Sequence, residues 1–142
     1  MARIRVETPS GVYEVDDALL YTESDEWVRV EDGVVRVGVT DYAQKELKDI
    51  VGVELPEVGS RLRKGEPAAV LESIKATADV YAPVDGEVVE VNERLLDEPE
   101  LVNRDPYGEG WIFAMRPDDP SQLQGLLTPE RYAEKIRREK GG

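Results

Sequence analysis

Lys75 is the residue of this chain best placed to do chemistry. It sits in the run 68–81 (AAVLESIKATADVY), where two strand-like stretches of small, aliphatic and β-branched residues meet. Ser73 suits the first position of a type I turn closed at Ala76, and such a turn lifts Ile74 and Lys75 clear of the sheet. A two-residue hairpin usually carries Asn-Gly or Asp-Gly, because primed turns need positive φ. Neither dipeptide is present here, so something other than turn propensity selects Ile-Lys. Most lysines are simply solvated surface groups, and that reading stands beside the alternative. Ile74 favours the alternative. An aliphatic side chain at a loop tip exposes apolar surface, which makes sense when a partner covers it. Lys75 is then an attachment point offered to another protein.

Glu72, Ser73, Ile74, Lys75 and Ala76 together resemble the lipoylation site of the glycine cleavage system H protein family. In the lipoyl domains of 2-oxoacid dehydrogenases the lysine typically follows Asp, and in biotin carriers it lies between two Met residues. Here it lies between Ile74 and Ala76. Further segments resemble the family in order: 21–28 (YTESDEWV), 38–43 (GVTDYA), 49–51 (DIV), 53–59 (VELPEVG), 83–92 (PVDGEVVEVN) and 101–111 (LVNRDPYGEGW). The resemblance covers roughly residues 18–135.

This resemblance implies a non-catalytic carrier with lipoate amide-linked to Lys75. The arm accepts an aminomethyl group when a pyridoxal-phosphate glycine decarboxylase acts on glycine. It delivers the group to a tetrahydrofolate-dependent aminomethyltransferase, and a flavin dihydrolipoyl dehydrogenase reoxidises it. A lipoate-attaching enzyme is a further implied partner. The loaded arm bears an ammonium, and the family shelters it in a cleft where acidic residues matching Glu26 and Asp79 hold the amine. Both are equally readable as solvated acids of an acidic chain. Glu72 is implied to help position the attachment site, and 105–110 (DPYGEG) to border the functional face. Gly86 is read as permitting a turn from Pro83 through Asp85. One departure is visible: the family usually has His where this chain has Asp25. That departure keeps a second reading open, a lipoyl relay or carrier for another lipoate-dependent pathway. A third is an unmodified binding module.

The composition bounds the chemistry independently. With no Cys and no His, the 142-residue chain has no Cys or His nucleophile, no dithiol and none of the usual zinc ligands. Acid or base work near neutral pH would need a strongly perturbed Glu, Asp or Lys. A lipoyl group would import the missing dithiol chemistry. The formal net charge of −13 disfavours nucleic acid as a partner and suits basic faces on partner proteins, although acidic surfaces also serve solubility. No apolar run approaches a membrane span, and 1–9 (MARIRVETP) lacks the apolar core of a signal peptide, so the expected compartment is the cytoplasm.

The elements that must position Lys75 are mainly β. Residues 3–6 (RIRV) and 12–15 (VYEV) flank a turn at Pro9, Ser10 and Gly11, which predicts an N-terminal hairpin. Residues 27–30 (WVRV) and 34–39 (VVRVGV) alternate around Asp32-Gly33, the best hairpin signal in the chain. Thr40 can cap a short helix over 41–47 (DYAQKEL), and 50–55 (IVGVEL) returns to strand. A weak repeat relates 33–37 (GVVRV) to 86–91 (GEVVEV), with later apolar strands around Val70-Leu71 and 111–115 (WIFAM). Thr128 before Pro129 predicts a C-terminal helix with Tyr132, Ala133 and Ile136 on one face. The expected architecture is a barrel-like sandwich of antiparallel strands. Its parts are a hairpin extension (1–17), a carrier sandwich (18–117) and a helical segment (118–142) packed on the same domain.

Overall fold

Aliphatic alternation builds three antiparallel sheets in the computed structural model, which describes residues 2–141. The outermost residues of the expected extension and helical segment, Met1 and Gly142, lie outside the described residues. A two-stranded sheet pairs β1 (Arg3–Thr8) with β2 (Gly11–Asp16). A six-stranded sheet contains β3 (Leu20–Tyr21), β4 (Glu26–Glu31), β5 (Val34–Val39), β7 (Arg61–Leu62), β10 (Gly86–Val91) and β11 (Phe113–Pro117). Its order is β3-β4-β5-β11-β10-β7. The third sheet is β6 (Ile50–Glu54), β8 (Pro67–Ser73) and β9 (Thr77–Tyr81), with β8 in the middle. The two repeated segments become β5 and β10, which flank the shared neighbour β11, whereas Val70 and Leu71 belong to the other sheet.

The larger sheets are glued by period-2 burial. Val28, Val35, Val37, Val88, Phe113 and Met115 from one sheet meet Ile50, Ala69, Leu71 and Val80 from the other. The hairpin at Asp32-Gly33 forms as its composition predicts, with φ of 45° and 80° at the two residues. Gly86 is a correction. Its φ is not positive, and it makes no turn; it pairs with Pro117, and a Cβ there would lie 2.2 Å from the Arg116 carbonyl oxygen. The glycine allows β10 and β11 to approach.

Helix α1 (Asp41–Leu47) starts where Thr40 accepts a hydrogen bond from the Ala43 N–H, and α4 (Pro129–Glu139) starts where Thr128 accepts from Arg131. Two one-turn helices, α2 (Arg94–Asp97) and α3 (Leu101–Arg104), and a 3-10 helix at Pro120–Gly125 were not anticipated, since segments this short carry no periodicity to read. Tyr132, Ala133 and Ile136 of α4 are buried as expected. They join Val6, Tyr13 and Val15 of the hairpin, with Tyr21, Trp27, Tyr42 and Tyr107, in a second core rich in aromatic residues. Two of its buried tyrosine hydroxyls bond to the N-terminal hairpin and its end: Tyr21 donates to the Asp16 carbonyl at 2.7 Å and Tyr107 to the Glu14 carbonyl at 2.6 Å. Burial pushes both phenols up, so they stay neutral donors. Among the described residues no helix is long and apolar enough to cross a membrane.

Candidate functional site

The β8–β9 hairpin carries Lys75 at its end, with Glu72 opposite Thr77 and Leu71 opposite Ala78. Its closure differs from the expected type I turn. The Ser73 N–H donates to the Ala76 carbonyl at 2.8 Å, while the Ala76 and Lys75 N–H groups are taken by the Ser73 hydroxyl at 3.0 and 3.2 Å. That hydroxyl stands in for a backbone carbonyl, so neither Ile74 nor Lys75 needs positive φ. A second contact, from the Ile74 N–H to the Asp49 carbonyl at 3.1 Å, ties the tip to the chain leading into β6. The tip is thus a fixed platform. Ile74 is 65% exposed, and Lys75, Ala76 and Glu72 are exposed beside it.

From the tip, β9 leads to a pocket. It covers four residue steps, roughly 13 Å from Thr77 to Tyr81. Asp79 lies on the same face as Tyr81, one strand period earlier, and is exposed. Tyr81 lines a cavity of about 390 Å³ whose other walls are Tyr21–Glu26 without Asp25, the Lys64-Gly65 turn, Ala82-Pro83 and Gly125–Leu127. Tyr21, Tyr81, Ala82, Pro83, Leu126 and Leu127 form its apolar part, and Glu23, Glu26, Lys64 and the hydroxyl residues Thr22 and Ser24 its polar part.

Glu26 is buried at 1% exposure. Its Oε1 accepts from the hydroxyls of Thr22 and Ser24, the latter at 2.6 Å, and Oε2 accepts from the Tyr81 N–H at 3.0 Å. Burial pushes its carboxyl up from the ordinary range, and the hydrogen bonds from Ser24, Thr22 and Tyr81 offset part of that shift. No cation is among the main causes of that shift, so among the described residues the group is a desolvated carboxylate without an ion-pair partner. A carboxylate offers about four acceptor positions, and three are filled. One remains for a donor in the pocket.

Asp25 takes a different direction. Its φ is 74°, and its Oδ1 accepts from the Tyr132 hydroxyl at 2.9 Å and the Lys135 ammonium at 3.2 Å, both on α4. The replacement of the family's His therefore falls outside the cavity lining. Residues 105–110 lie elsewhere again. Trp27 donates to the Pro106 carbonyl at 2.8 Å and Arg29 to the Tyr107 carbonyl at 2.6 Å, and none of the six lines the pocket.

The structure brings Lys75 and Asp79 onto one hairpin and delivers that hairpin's far end to Glu26. Sequence reasoning missed Thr22, Ser24, the Tyr81 N–H and the Leu126-Leu127 wall. A signal for the hydroxyls was present: Thr22 and Ser24 lie four and two positions before Glu26, close enough in sequence for a turn to bring both hydroxyls to its carboxylate. The Leu126-Leu127 wall left no local trace.

An antiparallel β sandwich that presents a lysine at the tip of a hairpin is the architecture of the lipoyl and biotinyl carrier class. The family model described as glycine cleavage H-protein matches residues 19–139. The chain is 61% identical over 137 residues to the probable glycine cleavage system H protein of Aeropyrum pernix, covering 96% of each chain. It is 54% identical to the glycine cleavage system H protein of Thermotoga maritima, covering 80% of this chain and 92% of that one. Its fold is similar to the crystal structure of a glycine cleavage system H protein from Mycobacterium marinum, with a TM-score of 0.80 and 38% identity over 86% of this chain and 98% of the other. The chain belongs to the glycine cleavage H-protein family. As such it is a lipoyl carrier subunit of glycine cleavage, which bears lipoate on a lysine and is not itself a catalyst.

Proposed function

We propose that Lys75 is the lysine that takes lipoate, and that the cavity floored by Glu26 receives the end of its arm. The observation that carries this reading is the continuity of β9. Its first residues follow the exposed lysine, and its last residue both lines the cavity and bonds to the buried acid.

The residues fit the group. The Ser73 hydroxyl holds the tip in one shape, so a modifying enzyme meets Lys75 in a preorganised loop, and Ile74 supplies apolar surface to cover on docking. Glu72 packs over Gly52 of the neighbouring strand and presents an acid near the tip, consistent with a role in orienting the attaching enzyme. When bound, lipoate supplies a disulfide that takes up the aminomethyl group and electrons of glycine decarboxylation. The chain's own part is to hold and shield. Tyr81, Pro83, Leu126 and Leu127 exclude water. The open acceptor position of Glu26, which no ion pair occupies among the described residues, receives the ammonium, with Lys64 in the cavity wall as the nearby protein cation. A charge-assisted hydrogen bond of that kind contributes about 1.5–3 kcal/mol. Asp79 supplies a second, exposed carboxylate on the approach.

The tethered arm is used in turn by a pyridoxal-phosphate glycine decarboxylase, an aminomethyltransferase and a dihydrolipoyl dehydrogenase, in the cytoplasm. Tethering makes these encounters local wherever the arm reaches. Intact mass of wild type and Lys75→Arg, each expressed with lipoate and a lipoate-attaching enzyme, tests the attachment site. The expected result is a lipoyl increment in wild type that is absent from the variant. An increment that persists in the variant would move the site to another lysine.

A further inference from the structure

Asp25 is the only residue between Tyr21 and Glu26 that does not line the cavity. Its left-handed backbone turns the side chain to α4, where Tyr132 and Lys135 both bond to Oδ1. Its carbonyl accepts from the Thr40 N–H at 3.1 Å, and the Thr40 and Tyr132 hydroxyls meet at 2.6 Å. Lys135 is itself 11% exposed at its side chain and also pairs with Glu139 at 2.7 Å. The wall across the cavity is attached to the same helix. Leu127 lies two residues before Pro129 and exchanges backbone hydrogen bonds of 2.9 and 2.7 Å with Tyr21, whose ring stacks on Tyr132 at 4.6 Å with 4° between planes.

We infer that the Asp25–Lys135 pair is a positioning device that holds the acidic wall of the cavity against the C-terminal helix, so that the helix fixes the cavity's width. A left-handed non-glycine residue and a partly buried charge are both unfavourable locally, and here they coincide at one position next to the site. The contacts to Tyr132 and Lys135 offset them. Without the lysine, Asp25 keeps an incompletely paired charge under α4 and is drawn back to water. The 22–26 segment moves with it, and Glu26 loses its alignment with the Tyr81 N–H. The role assigned to the pair extends the proposed use of the cavity as the arm's shelter and rests on that reading only for its functional consequence.

Amide hydrogen exchange of the full chain tests the device before any arm is attached. In Lys135→Met, which keeps the apolar stem, the Tyr81 amide should exchange about tenfold faster through local opening. The Ile112 amide, bonded to the Val37 carbonyl at 2.8 Å in the central sheet, should be unchanged. Lys135→Arg should restore Tyr81 protection. An unchanged Tyr81 rate would overturn the proposal, as would a parallel rise at Tyr81 and Ile112, which marks only a general loss of stability. The lifetime of the aminomethyl-loaded lipoylated carrier then separates the two readings. A shorter lifetime in Lys135→Met supports both; faster Tyr81 exchange with an unchanged lifetime supports the positioning role and removes the arm from the cavity.

Discussion

Glu26 shows at the scale of one residue how burial and charge are balanced at this site. Two hydroxyls and one amide hold a carboxylate that has no ion-pair partner among the described residues, and burial raises its pKa. The folded chain therefore keeps the proton at pH values where the unfolded chain, with a value of about 4.5, has released it. The stability contributed by this group is complete below the unfolded value and is lost as pH rises through the raised folded value. Comparing urea midpoints of wild type and Glu26→Gln from about pH 4 to pH 7 should show the variant gaining on wild type as pH rises. A difference independent of pH would mean that the carboxyl titrates alike in both states. The sequence supplied Glu26 through its family resemblance, yet nothing local marks it as buried, because an acid between Asp25 and Trp27 reads equally well as solvated.

At the scale of elements, the two helix caps were legible because capping depends on residues a turn apart. Thr40 does more than cap. Its hydroxyl serves both the Ala43 N–H and the Tyr132 hydroxyl, so it joins α1 to α4. Thr40→Ala should lower stability by about 1–2 kcal/mol in urea unfolding, at the upper end of what an N-cap contributes. A loss confined to a few tenths would show that the Tyr132 contact adds nothing. The hairpin that carries Lys75 was read correctly as two strands with a projecting tip. Its closure was not, since the choice between a backbone carbonyl and the Ser73 hydroxyl as acceptor depends on the twist of β8 against β9. Gly86 was misread for a similar reason: a glycine needed for conformation and one needed for close approach look the same in a sequence.

Across the whole molecule, two cores divide the work. The sandwich core supports Lys75, and the aromatic core joins the N-terminal hairpin to α4 and to the strand bearing Trp27. The hairpin is held by Tyr107 and by Asp41, which accepts from the Glu14 N–H at 2.9 Å. Deleting residues 1–17 uncovers Tyr132, Tyr42 and Trp27 without touching the β8–β9 tip. Such a chain should unfold at lower urea concentration yet still gain the lipoyl increment at Lys75 by intact mass. Loss of the increment in a chain that remains folded would show that the attaching enzyme reads the hairpin.

Sequence alone determined the strand pattern, the two capped helices and the lysine at a hairpin tip. Each of these follows from side-chain period, turn residues and caps within a few positions of one another. The family motif around Lys75 is also local, so it too could be read directly. Only the tertiary structure decided that Tyr81 meets Glu26, that Leu126 and Leu127 close the cavity and that Asp25 faces Lys135. Those contacts join residues 55, about 100 and 110 positions apart. No periodicity spans such separations; they arise when burial of two cores packs the elements together, and the pocket is a product of that packing.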